Sequence, residues 1–464
     1  MATGAIPTEL GTERIGKLLK NYAVPGIIAM TASSLYNMVD SIYIGHIPDV
    51  GAYAISGLAV TFPLMNLSTA IGTLVGVGAA TMISVLLGQK NYPAAQKVLA
   101  NDVALNTVFG LVFAAISLIF LNPILTFFGA SENTLPFAAD YMRILLYGNV
   151  FTHLYFGLNS CIRSAGNPRL AMGLTIFTVI FNSILDPVLI FGAGMGIKGA
   201  AIATIASQML ALVFAWRYFS DKKNFLHFPR GIFRIDWKIA GTSLAIGMGP
   251  FLMNAASCIV TLFINQQLRK YGGDLSIGAY GIVNRVTFFF AMIVLGLNQG
   301  MQPIAGYNFG ARKYSRVKEV YLLTAMWATF VTTLGFIVSV FLPRLAASAF
   351  TTDAQLIDIA AKGLRCMNII FPIVGFQMVA TNLFQCLGMV RKSVFLSLTR
   401  QLLFLVPCIY LLPLEFGVLG VWYSFPISDF LAAVTTGIFI VSLFRKFGKM
   451  KDGDDPSSLG SLAG

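Results

Sequence analysis

Hydrophobic residues in this chain fall in runs of about twenty or more, separated by short polar connections. A bilayer core about 30 Å thick is crossed by roughly 20 apolar residues of helix, so runs of this size predict twelve membrane spans. The first six cover approximately residues 20–46, 53–88, 95–121, 136–160, 168–192 and 197–218. A polar stretch from Arg217 to Lys238 follows. The second six cover approximately 239–268, 275–309, 317–343, 357–386, 393–413 and 417–445. The predicted fold is therefore an all-α polytopic membrane protein with two six-helix halves.

Composition agrees with this pattern. Of 464 residues, 56% are hydrophobic and 11% charged, where about 25% charged is usual for a soluble domain, and this excludes a soluble protein. The net charge of +13 would otherwise raise nucleic acid as a partner. Its basic residues, however, gather in alternate connections. Arg14, Lys17 and Lys20 share one side with Lys90, Lys97, Arg163 and Arg169, the run from Arg217 to Lys238, Arg312 to Lys318, Arg391 and Lys392, and Arg445 to Lys451. The other side holds Lys198, Arg269, Lys270 and Arg344. That asymmetry predicts both termini on the cytoplasmic side and no nucleic-acid partner.

The five cysteines are odd in number and widely spaced, and they read as packing residues rather than disulfides or metal ligands. The first sixteen residues, through Glu13 and Arg14, are too polar for a cleavable signal, so a mature cytoplasmic N-terminus is expected. The resulting division is a cytoplasmic segment 1–19, an N-lobe 20–218, a cytoplasmic loop 219–238, a C-lobe 239–446 and a cytoplasmic tail 447–464. From Asp452 onward the tail is short and polar and is expected to be disordered.

The second half echoes the first at an offset near 222 residues. Lys90 falls opposite Arg312, Gly166 opposite Gly388, Gly196 opposite Gly417 and Gly199 opposite Gly420. Six helices per half preserve the orientation of the repeat, which predicts two pseudo-symmetric bundles with a transport site between the halves. The acids do not follow the repeat. Asp40 and Asp186 lie deep in the first half, whereas their counterparts are about Asn265 and Pro407 or Cys408.

A carboxylate at membrane depth costs roughly 2.5 to 3.5 kcal/mol on insertion scales, so Asp40 and Asp186 are functional candidates. At about 1.5 Å per residue, Asp40, Asp186 and Thr204 reach one level in the outer third of three helices. Tyr36 and Asn182 lie four residues before the two acids and share their faces. Two carboxylates in a confined, partly dry pocket resist carrying both charges, so one can accept a proton. A sodium ion held by Asp40, Asn182 and Thr204 would compensate them equally well. The alternative is that each acid is satisfied locally.

Four further residues are candidates. Asp429, midway along the last span and opposite Gln208 in the repeat, suits a cationic substrate or a second proton; the plainer reading is an ion pair with Arg400 or Arg285. Gln208 is carried as a secondary candidate with it. Asn159 lines a cavity or packs as a buried amide, with packing favoured. Pro25 bends the first helix, as a hinge or as a static kink.

Several ordered segments carry a family resemblance. They are PGIIAMTASSLYNMVDSIYIGH at 25–46, GVGAATMISVLLGQKNY at 76–92, SCIRSAGNPRLAM at 160–172, FNSILDPVLIFGAGMGIKGAAIAT at 181–204 and LNQGMQPIAGYNFGARKY at 297–314. With them the chain resembles the multidrug and toxic compound extrusion (MATE) transporters over nearly its whole length. The resemblance implies a non-enzymatic antiporter of the bacterial or archaeal cytoplasmic membrane, working without a cofactor. It would export small organic cations by alternating access in exchange for H⁺ or Na⁺, as a monomer in contact with membrane lipids. In prokaryotic members whose acids lie in the N-lobe, the cation site matches Asp40, Tyr36, Asn182, Asp186 and Thr204, and the proline matching Pro25 is a protonation-linked bend. The other bacterial branch places a Glu on the seventh helix and an Asp on the tenth. Here the seventh has no acid between Lys238 and Asp274, and Asp358 sits at the mouth of the tenth, so a C-lobe sodium site is not expected. The competing function is a lipid-linked oligosaccharide or lipid flippase, which would use Arg285 and Arg400 to hold a pyrophosphate. A membrane enzyme lacks support, because His46, His153 and His227 are scattered and no HExxH or GxSxG occurs.

Overall fold

In a computed structural model the chain is described over residues 8–45, 47, 51–128, 130–233, 235–350 and 354–455. His46, Arg234 and the tail residues 456–464 lie outside the described residues. Among the described residues all regular structure is helical. Nine helices among the described residues are long and apolar enough to cross a bilayer, and a pair bent by 57°, Ala354–Met367 with Phe371–Cys386, makes a tenth. The two remaining expected spans are also helical. The first is Ile15–Gly45, with Pro25 buried inside it; the fourth is split at Gly148 into Leu135–Tyr147 and Asn149–Ser164.

Helix starts follow capping chemistry. Asn91 accepts a hydrogen bond from the Ala94 N–H at 3.3 Å, and Asn167 one from the Leu170 N–H at 3.3 Å, each ahead of a proline in the first turn. Large side chains such as Ile119, Val213, Phe341, Leu414 and Ile438 stay exposed. On a water-facing protein this would be an aggregating surface; on a spanning one it faces acyl chains.

The repeat is written into the backbone. Lys90 and Arg312 share a left-handed φ of 60° and 58°. Gly196 and Gly417, which turn the chain into the sixth and twelfth helices, have φ, ψ of 57°, −137° and 56°, −135°. Only glycine adopts that conformation cheaply. Just beyond each turn, Gly199 lies against the backbone of Leu189 and Ile190, and Gly420 against that of Leu412. The short helices Leu121–Phe127 and Pro343–Ser348 also correspond.

Packing groups the described chain into two units, residues 1–12 with 31–251 and residues 13–30 with 252–464. Each half of the repeat thus lends the first turns of its first helix to the unit formed mainly by the other half. Glycine allows both insertions. Gly26 lies against Gly296, where a Cβ would stand 2.6 Å from the carbonyl oxygen, and Gly247 lies directly on the Leu74 carbonyl. The corresponding glycines Gly300 and Gly78 receive Ala23 and Ser243.

The tail departs from expectation near its start. Asp452 accepts hydrogen bonds from the Ser315 N–H at 3.2 Å and hydroxyl at 2.7 Å. The Gly453 N–H donates to the Arg312 carbonyl at 2.9 Å, and the Tyr314 hydroxyl donates to the Asp454 carbonyl at 2.7 Å. A polar composition alone predicts solvation, but here the left-handed turn at Arg312 leaves a carbonyl for the tail to bind.

Candidate functional site

The fifth helix runs Pro168–Pro187 and continues as a π-helical turn, Val188–Gly192, directly after Asp186. Such turns interrupt regular hydrogen bonding and often accompany functional sites. The glycine turn at Gly196 and the contact at Gly199 then bring the sixth helix, Ile197–Ser220, tightly back along the fifth. Thr204 is thereby placed beside the first helix. The Tyr36 hydroxyl lies 3.0 Å from the Thr204 hydroxyl, which itself lies 3.0 Å from the Ala200 carbonyl. Because threonine has one hydroxyl proton and gives it to Ala200, Tyr36 is the donor to Thr204.

On the fifth helix the Asn182 amide donates to Asp186 Oδ2 at 2.7 Å. Asp40, Asn182 and Asp186 are 5%, 1% and 0% exposed. Asp40 lies within electrostatic reach of Asp186, and both act on the Tyr36 ring. Among the described residues neither acid forms an ion pair. Asp40 Oδ1, Asn182 Oδ1 and Asp186 Oδ1 are all buried with no hydrogen-bond partner there. These three acceptors, without a donor among the described residues and carried by groups within electrostatic reach of one another, make an electron-rich region suited to a proton or an oxygen-seeking cation.

All five residues of the expected pocket lie in the first packing unit. Spacing had not indicated Tyr141, a buried residue of Leu135–Tyr147 within electrostatic reach of Asp40, Tyr36 and Asp186. It has no acid one turn away, its neighbours being Asp140 and Met142, so helical spacing gave no signal for it.

The remaining candidates separate. Asp429 pairs with Arg400, Nε to Oδ1 at 2.6 Å, and the Ser428 hydroxyl donates to the Arg400 carbonyl at 2.9 Å. This is the ion-pair alternative, and it places Asp429 outside the N-lobe pocket. Arg400 itself sits in a second π-helical segment, Thr399–Leu405. Asn159 is a packing amide: it donates to the Ala171 carbonyl at 3.1 Å and accepts from Arg163 at 3.3 Å. The Gln208 carbonyl accepts a short hydrogen bond from Thr152. Asp358 is an exposed partner of Arg344 at 2.9 Å.

Known proteins are similar to this chain over most of its length. The MatE family model matches residues 25–188 and 245–411, one match in each half. The multidrug export protein MepA of Staphylococcus haemolyticus (strain JCSC1435) is 29% identical over 429 residues, which cover 92% of this chain and 94% of that protein. MepA of Staphylococcus aureus (strain MSSA476) is 28% identical over the same length. The solved structure of the MATE multidrug transporter DinF-BH superposes with a TM-score of 0.86 at 34% identity, covering 93% of this chain and 96% of that one. A MATE structure in complex with MaL6 gives a TM-score of 0.89 at 21% identity, covering 96% and 100%, and speaks for the fold alone.

Proposed function

The chain belongs to the MatE family, a transporter rather than an enzyme and a multi-pass protein of the cytoplasmic membrane, and from that premise we propose that it exports organic cations in exchange for H⁺ through Asp40 and Asp186. The observation that carries this reading is the set of three buried, unpartnered oxygens on Asp40, Asn182 and Asp186. Two carboxylates without a cation partner are costly in a low-dielectric interior, and a proton on one of them removes most of that cost. An asparagine beside the acid serves both states by turning over: its NH₂ donates to the carboxylate, and its carbonyl accepts from the acid.

Transport follows by linkage. A proton entering from outside neutralises the pocket and weakens its hold on a cationic drug; loss of that proton to the cytoplasm restores it. Because coupling is reciprocal, a drug that favours the charged acids expels the proton. Sodium would replace the proton if the same oxygens closed around it with Thr204. The basic loops favour cytoplasmic termini, and the protein works as a monomer. The flippase reading is disfavoured because Arg400, one of the two deep bases it needs, is neutralised by Asp429.

The test is efflux of ethidium in proteoliposomes under an imposed pH or Na⁺ gradient. Transport driven by the pH gradient and indifferent to Na⁺ is expected. Transport driven by Na⁺ alone would replace the ion, and folded protein inert under both gradients would overturn the reading.

A further inference from the structure

We propose that Asp102 and Asn106, with His153 further along the same helix seam, form a second intramembrane proton site, near the opposite end of the first unit from Asp40 and Asp186. Its role as a station for the exported charge rests on the proton-coupled reading above; its protonation does not.

Asp102 lies ten residues into the third helix, Tyr92–Ile119, about 15 Å from the end that carries Lys90. Asp40 and Asp186 lie near the other ends of their helices. Asp102, Asn106 and Gly110 share one face of the third helix, four residues apart. His153, Gly157 and Cys161 share the facing side of Asn149–Ser164. Asp102, Asn106 and His153 are each at most 1% exposed.

The Asn106 amide donates to Asp102 Oδ1 at 3.0 Å. Among the described residues Asp102 Oδ2, Asn106 Oδ1 and His153 Nδ1 are buried without a hydrogen-bond partner. This is the signature of the Asn182 and Asp186 pair: amide to carboxylate one turn apart, with one oxygen of each left open. Gly157 maintains the cradle, since a Cβ there would stand 2.6 Å from Asp102 Oδ2 and closer still to the Asn106 amide nitrogen.

Hydrogen bonding fixes the state of His153. The Asn149 amide donates to the Gly110 carbonyl at 3.1 Å, so its Oδ1 accepts the Ser68 hydroxyl proton at 2.7 Å. Ser68 Oγ, 3.1 Å from His153 Nε2, can then only accept, which puts the imidazole proton on Nε2 and leaves Nδ1 as a bare lone pair. Nδ1 faces Gly110, where a Cβ would stand 3.5 Å away.

The groups facing Asp102 are few. From the fourth span comes the Cys161 thiol, which acts as a weak hydrogen-bond donor to the Asp102 carboxylate. The second helix, packed on both, has no Asp, Glu, Lys, Arg, His or Cys between Gly51 and Gly88. Asp236, whose backbone binds Asn101, turns its carboxylate to the N–H groups of Lys238 and Ile239. Asp140, Tyr141, Arg143 and Tyr147 lie on Leu135–Tyr147, ahead of the break at Gly148. Among the described residues no cation compensates Asp102. A hard metal ion collects about six oxygens, and the Asp102 and Asn106 pair offers two open ones. A proton needs only one of them. When it binds Asp102 Oδ2, the carboxylate becomes a neutral acid, and once both the carboxyl group and the Asn106 amide turn over, its O–H donates to Asn106 Oδ1; release returns the carboxylate to the Asn106 NH₂.

Infrared difference spectroscopy of the full chain in liposomes, stepped between acid and alkaline pH, tests this in an Asp40→Asn/Asp186→Asn background. A carboxylic-acid band should remain there and be lost on adding Asp102→Asn. Separately, Asp102→Asn alone should slow pH-driven ethidium efflux by about a hundredfold, the lower end of the range for positioned proton-transfer groups. An unchanged band, or wild-type efflux in Asp102→Asn, overturns the proposal. Nitrogen NMR of the wild-type chain needs no folded variant: His153, one of three histidines, should carry its proton on Nε2 at neutral pH, and a proton on Nδ1 instead would also overturn it. Failure of the transport reading would appear as wild-type protein inert under a pH gradient, with the Asp102 band intact.

Discussion

The two halves share helix order, turn geometry and the contacts at their matched glycines, yet they treat buried acids in opposite ways. In the first unit Asp40, Asp102 and Asp186 are buried with open oxygens and, among the described residues, no cation partner. In the second unit the one buried acid among the described residues, Asp429, is held at 2.6 Å by Arg400. The π-helical turns differ in the same sense. That of the first half follows Asp186, whereas that of the second half precedes the matching Pro407 and contains Arg400. An uncompensated acid titrates easily and a paired one does not. On the proposed reading, the first lobe exchanges charge and the second keeps it fixed.

The contrast breaks most visibly in transport. Asp40→Asn and Asp186→Asn should each abolish pH-driven efflux while the protein still folds, and Asp429→Asn should keep the dependence on the gradient. Equal loss in all three, measured in the same proteoliposomes, would erase the distinction between the lobes.

Stability should show the reverse order. Arg400→Leu strands the Asp429 carboxylate and should cost about 3 kcal/mol, with much of that recovered in Arg400→Leu/Asp429→Leu. Thermal unfolding in detergent measures both. A single variant as stable as wild type would mean that the pair does not hold the second unit together.

The smallest effect concerns the anchored tail. Partial burial pushes the Asp452 carboxyl upward, but hydrogen bonds from the Ser315 hydroxyl and N–H and the Tyr314 N–H outweigh it, so its pKa lies below the ordinary value. A lowered pKa means that the anchor contributes fully above the unfolded value of about 3.9 and is lost as pH falls through the lower folded one. Protection of the tail from hydrogen exchange should therefore persist from pH 8 to about 4 and fall below that. Release near pH 6 would contradict the assignment.

Much of this was legible in the chain. Run length and loop charge mark a membrane protein of two six-helix halves, because lipid demands long apolar helices and translocation sorts basic loops. The positions matched at an offset near 222 carry the same backbone turns. Four-residue spacing also picked out Tyr36 with Asp40 and Asn182 with Asp186, since helical neighbours are set by local geometry. What spacing could not supply were contacts between helices. Tyr141, within electrostatic reach of the acids, lies on a helix with no acid one turn away. Asp102, ten residues from a helix end, draws its importance from Gly157 across the packing seam. Whether Asp429 had a partner depended on which turn of the eleventh helix faced it, and a π-helical turn rotates that face. The sequence by itself determined the spans, the repeat and the acids that needed explaining. Only the tertiary structure decided which acids were compensated, because a buried charge is paired or left open by side chains brought together from distant helices.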